Sequence, residues 1–154
     1  IAPLIPLKKL THLNLVSNYI SDIRPLAKLK NLTHLELGGN SITDLSPLSN
    51  LTSLTYLNAG GNWVQNLTPL SNLKKLTYLR LSGNNISNLQ PISSLSNLTE
   101  LHLARNQIRD ITPLASLKKL TTLDLRENPI QDRSPLQALP NLKELYIEGA
   151  IIFR

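Results

Sequence analysis

Chemistry near neutral pH needs nucleophiles, bases or metal ligands, and this sequence holds few of them. It has no Cys and three His, at 12, 34 and 102. His12 and His34 stand 22 residues apart with Glu36 close by, which suggests a metal site at first sight. Zinc takes about four ligands, however, and His102 belongs to a distant stretch, so solvated surface imidazoles are expected instead. A nucleophilic site needs Ser or Cys beside His and a carboxylate. The hydroxyls nearest these His residues, Thr11 and Thr33, belong to a recurring pattern. No phosphate-binding glycine motif occurs, since Gly38-Gly39 and Gly60-Gly61 each precede an Asn. Neither intrinsic catalysis, a cofactor nor a small-molecule substrate is expected.

Two further sets have a spacing that invites chemistry. Asp22, Asp44, Asn66, Asn88, Asp110 and Asp132 recur at a step of 22. Stacked carboxylates can hold Ca²⁺, but Asp or Asn in such a column more often caps a turn through backbone amides, and capping is expected. Lys8, Lys9, Lys30, Lys74, Lys75, Lys118, Lys119 and Lys143 occupy the stretch leading into the strands and so share an edge. With a formal charge of +6, that edge suits a polyanion or an anionic surface. Its plainer role is solubility, because Lys between buried Leu pairs keeps its head in water.

The elements that position these residues follow from the period. Asn recurs at 18, 40, 62, 84, 106 and 128, Pro at 3, 25, 47, 69, 91, 113 and 135, and Leu at 13, 35, 57, 79, 101, 123 and 145. A fixed period of this size marks a solenoid. In each turn a Leu-x-Leu alternation such as His34 to Gly38 reads as a short half-buried strand. One period leaves room for a strand and a return path, so successive strands lie parallel, about 4.8 Å apart. The Asn amide can satisfy backbone groups in the loop after the strand. Ser or Thr before Pro (Ser46, Thr68, Thr112, Ser134) predicts a helix start with the hydroxyl as N-cap. Too few residues follow for several α-helical turns, so a 3₁₀ or single-turn helix is expected on the convex side.

The outward strand positions then form columns. One holds His12, His34, Tyr56, Tyr78, Glu100, Thr122 and Glu144; the next Asn14, Glu36, Asn58, Arg80, His102, Asp124 and Tyr146. The scaffold does not dictate these residues, so they carry the information about function. Large amphipathic rings beside an Arg have the composition of an interface hot spot. The candidate partner-binding set is therefore His34, Glu36, Tyr56, Asn58, Trp63, Tyr78, Arg80 and His102, within residues 34 to 102. Trp63 belongs to it because nothing in the repeat requires an aromatic there; the competing expectation is that it folds back over the thinner core at Ala59.

The consensus Leu-x-x-Leu-x-Leu-x-x-Asn-x-Ile, with the Asp-Ile-x-Pro-Leu-x-x-Leu tail at Asp22 to Leu29 and Asp110 to Leu117, resembles the leucine-rich-repeat family in its internalin and SDS22-like class. The resemblance covers the whole chain. It implies an α/β fold: a right-handed horseshoe solenoid of about seven turns, with a parallel concave sheet and short 3₁₀ turns on the convex side. It also implies a protein-recognition module, since members include bacterial surface proteins that bind host receptors and intracellular regulators that bind phosphatases. On that ground a bacterial cell-surface or secreted location is favoured over a cytoplasmic one. The alternatives are polyanion binding along the Lys edge and a repeat segment of a larger enzyme or signalling protein.

The pattern departs at its ends. Ile1-Ala-Pro3-Leu4 aligns with Ile23-Arg-Pro25-Leu26, in mid-repeat, with no distinct amino-terminal cap. Ala150 stands where the ladder predicts Asn, followed by Ile151-Ile152-Phe153, and Arg133 takes a position filled elsewhere by Ile or Leu. Residues 1–154 read as one domain, either a segment of a longer protein or a chain whose terminal turns are unusual caps; if the ends are uncovered, fraying or end-to-end association of an otherwise monomeric chain is expected. No apolar run is long enough for a membrane-spanning helix.

Overall fold

In the computed structural model each Leu-x-Leu alternation falls on a strand of three or four residues whose first Leu faces the core, while the residues flanking that Leu line the opposite face. The structure describes residues 1–148 and, of 150–153, the backbone alone. The strands are β1 (His12–Asn14), β2 (His34–Glu36), β3 (Tyr56–Asn58), β4 (Tyr78–Arg80), β5 (Glu100–His102), β6 (Thr122–Asp124), β7 (Glu144–Ile147) and β8 (Ala150–Phe153). They lie in that order in one sheet. β1 to β7 are parallel and in strict register, with His12 opposite His34, Tyr56 opposite Tyr78 and Asp124 opposite Tyr146. Such sheets need a crossover between strands; each return path here carries a 3₁₀ turn, as at Ser46–Leu48 and Thr112–Ser116. The result is a right-handed solenoid.

The Asn column stitches consecutive turns together. Asn62 Oδ1 accepts from the Ile42 N–H at 3.0 Å, and its Nδ2 donates to the Leu37, Ala59 and Gly60 carbonyls at 3.1–3.2 Å. The pattern repeats at Asn40, Asn84, Asn106 and Asn128. All five are buried, and one amide satisfies backbone groups of two turns that no ladder reaches. Asn18 is exposed; its Nδ2 donates to the Val16 carbonyl, and its backbone N–H to Asn40 Oδ1.

Two expectations need correction. The Ser or Thr before Pro is not the cap: the N-cap position falls on Leu45, Leu67, Ile111 or Arg133, with no side-chain cap bond. The acceptor is the Asp or Asn two residues before the hydroxyl. Asp44 Oδ1 takes the Ser46 N–H at 2.8 Å, Asn66 Oδ1 the Thr68 N–H at 3.0 Å and Asp110 Oδ1 the Thr112 N–H at 2.8 Å. A 3₁₀ turn this short leaves its first amides pointing at that side chain, and the Ser134 hydroxyl donates to Asp132 Oδ2 instead of capping. The capping role expected of the Asp/Asn column is thus observed from Asp22 to Asp132.

The carboxy-terminal edge is the second. The last turn was expected to leave a bare strand, but the backbone reverses after β7 and β8 pairs with it antiparallel, Leu145 opposite Ile152. No Asn at 150 holds the chain in a further parallel turn, and β-branched and aromatic residues favour a strand. The side chains of 150–153 lie outside the described residues. Arg133, at its apolar column position, is exposed, and Leu136 beside it is only half-buried.

The core is one continuous column of Leu and Ile from Ile23 to Ile147. Leu35, Leu57, Leu79, Leu101 and Leu123 have no exposed surface, and Ala59 is equally buried in its thinner layer. At the amino-terminal end Leu10, Leu13, Leu15 and Ile20 are only partly covered, and Leu7 and Val16 are exposed.

Candidate recognition surface

Strand register puts one aromatic row on the outer face of the sheet, which no described element covers. Parallel strands in register bring like positions opposite one another at the strand spacing, and planar rings at that distance stack. His12 and His34 lie 4.1 Å apart between centroids, His34 and Tyr56 5.7 Å, and Tyr56 and Tyr78 4.2 Å with planes 6° apart. The row then steps to the second column, where His102 meets Tyr78 at 5.4 Å in a tilted contact. Because each face covers its neighbour, the rings offer their edges and polar tips to solvent.

The first two imidazoles share an orientation, each ring's Nδ1 lying 2.9 Å from the hydroxyl of the preceding Thr, Thr11 or Thr33. Those hydroxyls belong to a ladder of their own. Thr33, Thr55, Thr77, Thr99 and Thr121 each donate to the backbone carbonyl of the Thr one turn earlier at 3.1–3.2 Å. The sequence reading treated these Thr as plain repeat positions; their fixed step of 22 was the available signal. Among the described residues no group of three His, Asp or Glu could hold an ion.

Beside the rings runs the polar column. Asn58 Nδ2 donates to Glu36 Oε2 at 2.8 Å, and its Oδ1 accepts the Gly60 N–H at 3.0 Å. Burial first, then the neighbouring Glu36 carboxylate, pushes the Tyr56 phenol well above its ordinary pKa, so it stays protonated and able to donate. A Cβ on Gly38 would stand 3.2 Å from Asn58 Nδ2, and one on Gly60 3.1 Å from the Ser82 carbonyl. The missing side chains therefore let Asn58 fold flat along the sheet.

The face divides along its length. A cleft of about 320 Å³ around His12, Leu13, His34, Glu36 and Tyr56 is mostly apolar. A polar one of about 490 Å³ follows, between Arg80, Glu100, His102, Asp124, Arg126 and Tyr146. In the second, Arg126 is fixed: its Nε and an Nη bond Asp124 at 2.9 and 2.7 Å, and its guanidinium lies 5.2 Å from the Tyr146 ring centroid. Burial works to raise the Asp124 pKa, but the bonds from Arg126 prevail and hold it below the ordinary carboxylate value.

A family model of leucine-rich repeats in two copies matches residues 8–50, 30–72, 52–85, 74–116 and 118–152. The chain belongs to the leucine-rich-repeat family. No curated protein matches it. Among solved structures it is similar to an internalin, InlF, of Listeria monocytogenes, with 37% identity and a TM-score of 0.93 over 96% of this chain and 43% of that one. Internalin C2 of the same organism is 38% identical with a TM-score of 0.94, over 96% of this chain and 65% of that one. The leucine-rich-repeat ectodomain of the plant membrane receptor kinase GASSHO1/SCHENGEN3 from Arabidopsis thaliana, solved in complex with CASPARIAN STRIP INTEGRITY FACTOR 2, is 30% identical. Its TM-score is 0.82 over 94% of this chain and 19% of that one. The chain thus spans less than two thirds of the length of these internalins.

Within this leucine-rich-repeat frame the candidate residues form one continuous set and one outlier. His34, Glu36, Tyr56, Asn58, Tyr78, Arg80 and His102 share the concave face. Trp63 does not fold over the thin core: it is 60% exposed. It lies beyond the strand ends in a separate recess with Gly61, Gly83, Asn85 and Arg105. A trough lined by Gly60, Gly61, Asn58 and Arg80 joins that recess to the concave face.

Sequence reasoning missed Arg105 and Glu127. They occupy, at φ +57° and +54°, the backbone position where Gly39, Gly61 and Gly83 sit at +62° to +68°. A non-glycine residue is strained there, and these two side chains bond each other at 2.8 Å. The Lys edge is fully exposed, but part of it is engaged internally. Lys74 donates to the Ser94 hydroxyl, Lys118 to the Ala138 carbonyl and Lys119 to Asn97. No helix of the described residues is long and apolar enough to cross a membrane.

Proposed function

We propose that the chain is a protein-recognition module whose partner docks on the concave face over His34, Glu36, Tyr56, Asn58, Tyr78, Arg80 and His102, with Trp63 as an outlying contact at the rim. The observation that carries this reading is the unbroken ring ladder on an uncovered sheet. Tyr and His rings locked by stacking lose little freedom when a partner arrives, so their apolar edges are presented at low entropic cost. Their polar tips supply hydrogen bonds at the same time. The residues that vary from turn to turn lie on this face, while the Leu and Asn columns are consumed by the scaffold. The plant receptor structure supports the reading, because its leucine-rich-repeat ectodomain holds a named partner. Likeness to internalins supports a bacterial surface or secreted setting. Nothing in the face calls for catalysis; it offers binding.

The test is a binding isotherm with a partner obtained by selection from a displayed library. Tyr78→Ala and Arg80→Ala should each weaken binding by about 1–2 kcal/mol while leaving the melting midpoint nearly unchanged. Lys119→Ala on the edge and Gln90→Ala on the convex turn should bind as the parent does. If the first two bind normally and an edge or convex substitution abolishes binding, the docking face is elsewhere.

A further inference from the structure

Arg80 stands out among the charged groups of the concave face. Arg126, which lines the same polar cleft, is bonded to Asp124. The Arg80 guanidinium, at the middle of the sheet, has no hydrogen bond or ion pair among the described residues. Of the carboxylates nearby, Glu36 accepts from Asn58 and Asp124 from Arg126, while Glu100 lies 3.8 Å from His102, a contact that is an ion pair only when the imidazole is protonated. Its stem crosses a glycine, since a Cβ on Gly60 would stand 3.5 Å from Arg80 Nε. Its side chain lines the polar cleft and two smaller recesses beside it. A guanidinium offers a planar fork of donors that matches a carboxylate, and this fork is exposed and uncompensated.

We infer that the partner presents an acidic side chain, Asp or Glu, to Arg80, with an apolar neighbour lying on the edges of Tyr56 and Tyr78. The inference rests on the concave-face reading and adds to it the chemistry of the partner. Charge complementarity selects the acid. The ring row beside Arg80 selects a polypeptide over a bare polyanion, which would have no use for apolar ring edges.

The experiment selects random displayed peptides on the immobilised chain and measures single peptides against variants. The expected peptides carry Asp or Glu next to an aromatic or aliphatic residue. Arg80→Gln should weaken them about ten- to a hundredfold, the range for a hydrogen bond to a charged group. Arg80→Lys should restore only part of that, because a point charge replaces a fork. Replacing the peptide's acid by its amide should cause the same loss on the parent chain and little more on Arg80→Gln. Unchanged melting of Arg80→Gln excludes a folding effect. Selected peptides without enrichment of acids overturn the inference, as does an equal cost of acid-to-amide replacement on parent and Arg80→Gln. Arg80-dependent retention on heparin overturns it in favour of a polyanion. Peptides that lose binding on Tyr78→Ala but keep it on Arg80→Gln refute this inference alone; peptides sensitive to neither refute the concave reading as well.

Discussion

Asn62 accepts one amide proton from the preceding turn and donates to carbonyls of that turn and of its own. Leu in its place matches the surrounding core in character yet leaves those buried groups unpaired, and the desolvation penalty outweighs the added apolar surface. Asn62→Leu or Asn84→Leu should destabilise by about 1–3 kcal/mol, read as a lower urea midpoint. Asn18→Leu should cost less, because Asn18 is exposed and holds one carbonyl of its own turn. Equal midpoints for parent and Asn62→Leu would refute the stitching role. Arg105 and Glu127 show the opposite relation at the same scale: they keep a strained left-handed backbone where three turns use Gly, and the gain is a 2.8 Å ion pair at the edge of the recess that holds Trp63.

The 3₁₀ turns depend on their Asp or Asn acceptors, and four of the six acceptors titrate. Hydrogen bonds from Ser46 hold Asp44 below the ordinary carboxylate value, side chain first and backbone second, and Thr112 does the same for Asp110. At Asp132 the Ser134 backbone N–H leads, and at Asp22 the Arg24 side chain lowers the value to about 2. A carboxyl whose folded pKa is depressed adds stability at pH above its unfolded value, and that stability disappears as pH falls through the folded value. Asn66 and Asn88 fill the same place without titrating. A chain with Asp44→Asn, Asp110→Asn and Asp132→Asn should therefore lose less of its melting midpoint than the parent between about pH 4 and pH 2; an identical loss would mean that these bonds do not contribute. This element was half legible. The step of 22 identified the Asp/Asn column and its capping role, while the neighbouring Ser-Pro pattern pointed to the wrong cap, because hydroxyl propensities come from longer helices. Strand register was legible from Leu and Asn spacing alone. The closeness of the Tyr56 and Tyr78 rings follows from that register, but their near-parallel stacking does not, since it depends on side-chain rotamers. Nor was the reversal into β8 legible, since there the repeat signal stops and pairing geometry takes over.

Across the whole molecule, stability is close to a sum of turns and the interfaces between them. The carboxy-terminal strand edge is paired by β8. Among the described residues no strand pairs with the outer edge of β1, and exposed Leu7 and Val16 lie near partly covered Leu10, Leu13 and Leu15. Amides of residues 1–15 should exchange with solvent well before those around Asn62 and Asn84, and light scattering should show association growing with concentration through this end. Protected amides in that segment, together with a clean monomer at millimolar concentration, would contradict this picture. The face that remains open in the middle of the solenoid is the concave one, and a partner is proposed to cover it. Hydroxyl-radical footprinting of the free and partner-bound chain reads this directly, because aromatic side chains report their own exposure. Tyr56, Tyr78, His34 and His102 should lose reactivity on binding, while Tyr19, exposed at 92% beyond the first strand, should keep it. Unchanged reactivity of the four ladder residues, with protection appearing instead at the Lys edge or on the convex turns, would contradict the account.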